Sequence, residues 1–341
     1  MVNNLENTCT LCEEYLAVLD IKQKQQLCQK NFCELQTDLR EYKMTNVIRY
    51  FIRKVHEDLI FLGIYLSCKE NDMTYMHNSI FQGNRFGTIR SNCLQGGVDQ
   101  ADNLTNIILA LASNDIEILD KIMPYHLGFS TNGFLHAHYN MIMSLMNKDI
   151  ENANRAKNQL EKFMSKKRSK LELSFSRYLV SLIERDLNKI SIYLQEICVY
   201  LTRTDWVQHA IFLSVSYNKL GHSVALFAHG LYHLAYFYLT PEEFSKIEMP
   251  EHKSFIKEYE YYNHKNGFCS GKTLIDFTNE NKLLSRLIDI DIIPEITLKE
   301  ESNKRYLNVE EFEKKLLYNL RDAGIISFEM EGEEYVFKSF K

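Results

Sequence analysis

Along the middle of the chain, apolar positions recur at steps of three and four, and the stretches that carry them break at three junctions of one kind. In each, an apolar end containing Leu is followed by two or three polar residues and then by Asp with Ile or Leu after it: Leu111 to Ile116, Leu145 to Ile150, and Leu182 to Leu187. An Asp so placed can accept a hydrogen bond from an amide that the next helix leaves unpaired, so each junction reads as the corner of a helical hairpin. The three residues, Asp115, Asp149 and Asp186, lie 34 and 37 positions apart, near the repeat length of stacked helix-turn-helix arrays. The pattern predicts a mainly all-α chain of stacked helical hairpins, similar to a tetratricopeptide array. Such arrays generally present extended binding surfaces.

The same reading divides the rest of the chain. Residues 1–80 are expected to form an N-terminal helical cap, with amphipathic spacing over 5–39 and a stronger stripe at Val47, Phe51, Val55, Leu59 and Leu62. Over 81–102 the period fails and Gly83, Gly87, Gly96 and Gly97 stand among polar residues, which predicts a long loop. Residues 103–267 form the array, including helices expected over 206–220 and over 224–239, the latter closed by Thr240 and Pro241. The last stretch, 268–341, differs. A helix over 309–323 precedes Ile325, Ile326 and Phe328, a turn at Glu331 and Gly332, and Tyr335, Val336 and Phe337, which predicts a small α+β module ending in a β-hairpin. Winged-helix modules end in the same order, but Glu329, Glu331, Glu333 and Glu334 would repel DNA.

Composition sharpens this picture. Thirteen Gly and four Pro in 341 residues leave few breakers of helices. A net charge of −5 argues against general nucleic-acid affinity. The charge is uneven: Arg155, Lys157, Lys162, Lys166, Lys167, Arg168 and Lys170 face a single acid, Glu161, between 155 and 170. That run reads as a solvated helix end, with a phosphate-binding patch or a targeting signal as the alternatives. Glu6, Glu13 and Glu14 stand where an export signal would be basic and then apolar. The longest nearly apolar run, 59–66, is far below the roughly 20 residues that span a bilayer. The expectation is a cytoplasmic protein that engages neither membrane nor nucleic acid.

Candidate chemistry is sparse. Gly267-Phe268-Cys269-Ser270-Gly271-Lys272-Thr273 ends like a phosphate-binding loop, but has three residues between its glycines where four are needed and lacks a preceding buried strand. Cys9, Cys12, Cys28 and Cys33 approximate a zinc spacing, yet fall in a helical pattern that suits buried thiols better. His229 and His233 are one helical turn apart without the Glu of a metalloprotease motif, and His136 and His138 form a second pair. Leu231, Tyr232, Leu234 and Tyr236 around the first pair make core or interface histidines the expected reading. No nucleophile and base set stands out, so no enzyme activity, cofactor or metal is expected. Glu258, Tyr259, Glu260, Tyr261 and Tyr262 are the expected partner-binding patch, an aromatic and acidic composition suited to an interface.

The corner sequences Leu109-Ala110-Leu111-Ala112-Ser113-Asn114-Asp115, Ser144-Leu145-Met146-Asn147-Lys148-Asp149 and Ser181-Leu182-Ile183-Glu184-Arg185-Asp186 resemble the Imm49 type of bacterial immunity protein. The segment from Trp206 through Leu220, Gly221 and His222 continues the likeness, which covers roughly residues 100 to 270. The resemblance implies a helical cytoplasmic protein of a polymorphic toxin system that neutralises a cognate toxin by stoichiometric binding. An excess of acidic residues in the C-terminal third would then help attract a basic nuclease toxin. A tetratricopeptide-like scaffold or peptide-responsive regulator is the alternative.

Overall fold

The three Asp corners form, and they share a backbone conformation as well as a cap. In the computed structural model, which describes residues 8–11, 48, 59–93, 99–203, 222–277, 282–331 and 334–340, Asp115, Asp149 and Asp186 accept hydrogen bonds from the amides of Ile118, Asn152 and Lys189 at 3.4, 3.0 and 3.1 Å. The residue before each Asp is left-handed, with φ of 56° at Asn114, 53° at Lys148 and 54° at Arg185. Each Asp amide reaches back to a carbonyl of the helix just ended, Ala110, Ser144 or Ser181, at 2.9, 2.9 and 3.0 Å. The left-handed residues bond to Leu111, Leu145 and Leu182 at 3.0 to 3.1 Å. These paired bonds close the outgoing helix while the carboxylate caps the incoming one.

The helices so joined are α1 (Thr74–Asn92), α2 (Leu104–Ala112), α3 (Ile116–Ile122), α4 (His136–Met146), α5 (Ile150–Met164), α6 (Lys170–Glu184) and α7 (Leu187–Leu201). Residues 59–70 are helical and lead into α1. After 222 come α8 (Leu226–Tyr238), the short α9 (Pro241–Phe244) and α10 (Lys257–Lys265). Neighbours in sequence pack as hairpins, α2 with α3, α4 with α5 and α6 with α7, and α8 returns across α2. Both α2 and α8 are apolar and buried on nearly every side, as a central helix must be. Their axes come close because residue 230 is Gly: a Cβ there would stand 2.2 Å from the Ile108 carbonyl oxygen.

One expectation needs correction. The loop predicted over 81–102 is largely helix, because α1 runs to Asn92, and residues 100–103 form a 3-10 turn. The apolar period fails there because the buried side chains are polar and find their partners across the fold. Gln82 bonds the backbone of Leu274 and Ile275, Asn84 donates to the Asn106 carbonyl, and Asn92 pairs with Asn103. Arg85 grips Asp115 with two bonds of 2.7 and 2.8 Å, donates to the Ile288 carbonyl at 2.7 Å, and lies over the Phe81 ring. The first corner is therefore locked by an arginine from the supposed loop.

The C-terminal stretch holds the predicted helix and hairpin, and also an unpredicted hairpin. After α11 (Lys282–Leu287), β1 (Leu298–Glu301) pairs antiparallel with β2 (Lys304–Leu307). Then α12 (Val309–Asp322) precedes β3 (Ile326–Glu331) and β4 (Glu334–Phe340), paired from Ile326 opposite Phe340 to Glu331 opposite Glu334. The first hairpin escaped notice because Leu298–Glu301 and Lys304–Leu307 are mostly polar and partly exposed. One hydrophobic core runs from Ile48 through α2 and α8 to Phe312, Leu316, Leu320 and Phe328. The C-terminal stretch thus shares the array's core. Residues 8–11 are helical, and the rest of the helices predicted over 5–39, most of 47–66 and all of 206–220 lie outside the described residues. Among the described residues, no helix is long and apolar enough to cross a membrane.

Candidate interaction surface

The five residues predicted as a partner patch lie on α10, and the helix divides them. Tyr261 is 60 % exposed and Glu258 is exposed, while Tyr262 is half-buried. Tyr259 and Glu260 are completely buried, so the expected patch does not exist as one surface. Helical geometry puts Tyr259, Glu260 and Asn263 on the inward side of α10, where three other elements supply their partners.

Glu260 lies between the two histidines of α8. Its carboxylate meets His229 Nδ1 at 2.5 Å and His233 Nε2 at 2.9 Å, with all three side chains buried. The protons can be assigned from the other contacts. The Ile256 amide donates to His229 Nε2 at 3.2 Å, so the proton of His229 is on Nδ1 and is donated to Glu260. His233 Nδ1 faces the Leu111 carbonyl at 2.9 Å and must carry a proton, leaving Nε2 to share another with Glu260. Burial pushes the Glu260 carboxyl up, but the two imidazoles outweigh it and hold it at about 2. Glu260 and His233 thus share that proton in a buried hydrogen bond. Burial outweighs the acid at His229 and lowers it, which keeps that ring neutral.

Tyr259 extends the cluster. Its hydroxyl donates to the Ala112 carbonyl at 2.5 Å and lies 2.9 Å from His77 Nδ1, while His77 Nε2 donates to the Cys269 carbonyl at 3.0 Å. Burial pushes His77 down to about 4, so this ring too is neutral. The glycine-flanked segment after α10 is a packed connection: a Cβ on Gly271 would stand 2.4 Å from Phe81 Cβ, and the Gly271 amide donates to the Ser113 carbonyl at 3.0 Å. These acids and imidazoles are satisfied by one another and by backbone carbonyls. They tie α10 to α1, α2 and α8.

His136 and His138 are not a pair. His136 bonds the Gly133 carbonyl, and His138 donates to Ser176 Oγ at 2.8 Å between the rings of Phe163 and Phe175. Among the described residues, no group of three or more His, Cys, Asp or Glu is placed to hold a metal ion. Of the four cysteines with zinc-like spacing, Cys9 is partly buried. Cys12, Cys28 and Cys33 lie outside the described residues.

A different surface stands out between α3 and α5. The connection 123–135 is fastened at many points by residues far away in sequence. Asp99, fully buried, accepts from Ser130 Oγ at 2.7 Å and from the amides of Thr131 and Asn132 at 3.1 and 2.9 Å. Arg305 on β2 donates to the carbonyls of Phe129 and Leu127, and Gln100 to that of Gly128. Asn140 bonds the backbone of Ser130 in both directions. Long connections held in one shape are often functional.

This fastened segment displays Tyr125 at 43 % and Phe134 at 53 % exposure, with Phe129 partly buried between them. They meet one stripe of α5 and the turn beyond it. The Tyr125 hydroxyl donates to Asp149 and accepts from Asn152, and the Arg155 guanidinium lies 4.9 Å from the Phe129 ring centre. Phe134 packs edge-on to Phe163, and Arg168 lies over both rings at 5.0 and 3.9 Å. Ile150, on the first turn of α5, is 51 % exposed. The result is a shelf of aromatic rings with guanidinium groups over them. The basic run 155–170 that borders it reads from sequence as a solvated helix end, and the aromatics escape notice because they fall between helices. Three aromatics in one inter-helix segment were the available signal.

Fold and surface together define an all-α hairpin array with a small β element and an exposed aromatic shelf. No protein-family model, curated protein or solved structure matches the chain.

Proposed function

We propose that the chain is an immunity protein, which binds one cognate toxin domain and holds it inactive in a stoichiometric complex. The shelf of Tyr125, Phe129, Phe134, Arg155 and Arg168 carries this reading. Exposed aromatics and arginines dominate the energetics of protein interfaces, and a surface already fastened in shape loses little entropy on binding. The interior supports it from the other side, since Glu260, His229, His233, Arg85 and Asp115 spend their hydrogen bonds among themselves and on backbone groups. Their role is to hold helices. The corner sequences supply the partner class through their likeness to the Imm49 type.

The test is affinity capture of the tagged full chain from its native cells in high salt, with mass spectrometry of what remains. The expected result is one partner at equal stoichiometry carrying a toxic domain. Many weak partners, or recovery of short peptides in place of a folded domain, would contradict the proposal.

A further inference from the structure

We infer that the aromatic shelf is the docking face, and that it receives an acidic face of a folded protein partner. This rests on the binding reading above and names the side of the molecule and the charge of its partner. The cations around the shelf are arranged in two ways. Arg155 lies over Phe129 and Arg168 over Phe134 and Phe163, and part of each fork is already engaged: Arg155 donates to Asn152 Oδ1 at 2.7 Å and Arg168 to the Phe163 carbonyl at 3.1 Å. Each guanidinium uses one such bond and keeps its other N–H groups for a partner's carboxylates. The two groups also extend the apolar surface of the rings with positive charge, which suits a protein interface core.

The second set is the rim. Lys162, Lys166 and Lys167 are exposed at the end of α5. Lys157 pairs with Glu184 at 2.6 Å, but among the described residues no carboxylate forms an ion pair with those three. On a chain of net charge −5, this edge is locally positive. An acidic partner is repelled by the molecule as a whole and attracted here, so charge selects both the partner and its orientation. That reverses the expectation of a basic toxin drawn to acids of the C-terminal third, of which Glu260 is buried and already paired.

Two readouts test this. In the first, poly-L-glutamate is titrated into the full chain by calorimetry, with duplex DNA and phosphatidylserine vesicles in parallel. The inference expects poly-L-glutamate to bind most tightly, at least tenfold more weakly to the triple variant Lys162→Glu, Lys166→Glu, Lys167→Glu, and more weakly as salt rises. Absent binding, or tighter binding of DNA or vesicles, would overturn it. In the second, the captured complex is treated with a carbodiimide, which joins Lys directly to Asp or Glu. Cross-links from Lys162, Lys166 or Lys167 to partner carboxylates, with capture lost in Phe134→Ala at unchanged melting temperature, support the inference. A stoichiometric partner cross-linked elsewhere overturns the face but leaves the binding reading standing, whereas no stoichiometric partner overturns that reading itself.

Discussion

Glu258 and Glu260 differ in sequence position by two and in environment almost completely. Glu258 is exposed on α10, so Glu258→Lys should change stability by no more than about 0.5 kcal/mol. Glu260→Lys would place an ammonium between His229 and His233 and remove the acid that compensates them, at a cost of about 3–5 kcal/mol. Urea unfolding midpoints of the two variants measure the contrast, and similar midpoints would contradict the buried pair. The run Glu258 to Tyr262 was legible as a helix with something to contact. Which side of it faces inward depends on His77, His229 and His233 from α1 and α8, and nothing local to the run encodes that. Tyr259 and Glu260 with their histidine partners His77, His229 and His233 are distributed over more than 180 positions of the chain.

At the scale of elements, the hairpin corners were readable because they are local. An Asp cap, a left-handed residue before it and a carbonyl a few positions back all lie within one short segment, so residue chemistry alone specifies them. Helix α1 was not readable, because Gln82, Asn84, Arg85 and Asn92 are interior yet polar. Periodicity finds apolar stripes, and this helix is buried through hydrogen bonds to residues up to two hundred positions away. The crossing of α2 and α8 offers a test with opposing local and tertiary effects. By helix propensity alone, Gly230→Ala should stabilise by about 1 kcal/mol. A Cβ only 2.2 Å from the Ile108 carbonyl oxygen forces the helices apart, so the net change should be destabilising by about 1–3 kcal/mol. Thermal unfolding of the single variant gives the sign, and a raised melting temperature would contradict the close crossing.

At the scale of the whole molecule, one core joins the array to the C-terminal stretch and its buried imidazoles make it sensitive to acid. Burial pushes His77 down to about 4 and His138 lower, to about 3, and it lowers His229 despite the neighbouring acid. Unfolded, each ring takes up a proton below about pH 6.5. The unfolded state then binds more protons than the folded one, so stability rises with pH across this interval. The contribution is complete above about pH 7 and is lost as pH falls from about 6.5 towards 4. Glu260, held at about 2 by the imidazoles against the upward push of burial, adds a loss of the same sign below its ordinary value of about 4.3. Melting temperature measured against pH should fall steeply over this range, and a flat profile would contradict neutral buried rings. The shelf belongs to this scale as well. Its aromatics come from one connection, its cations from α5 and the turn beyond, and its fastenings from Asp99, Asn140 and Arg305, so it exists only when the whole chain is folded.

Neutralisation by binding is most directly measured by growth of cells in which the captured partner's toxic domain is produced together with this chain at controlled ratios. The account predicts that growth returns as the two proteins approach equal amounts, and that Phe134→Ala, folded as stably as the original, fails to restore it. Rescue at amounts far below the toxin's, or rescue undiminished by Phe134→Ala, would contradict it.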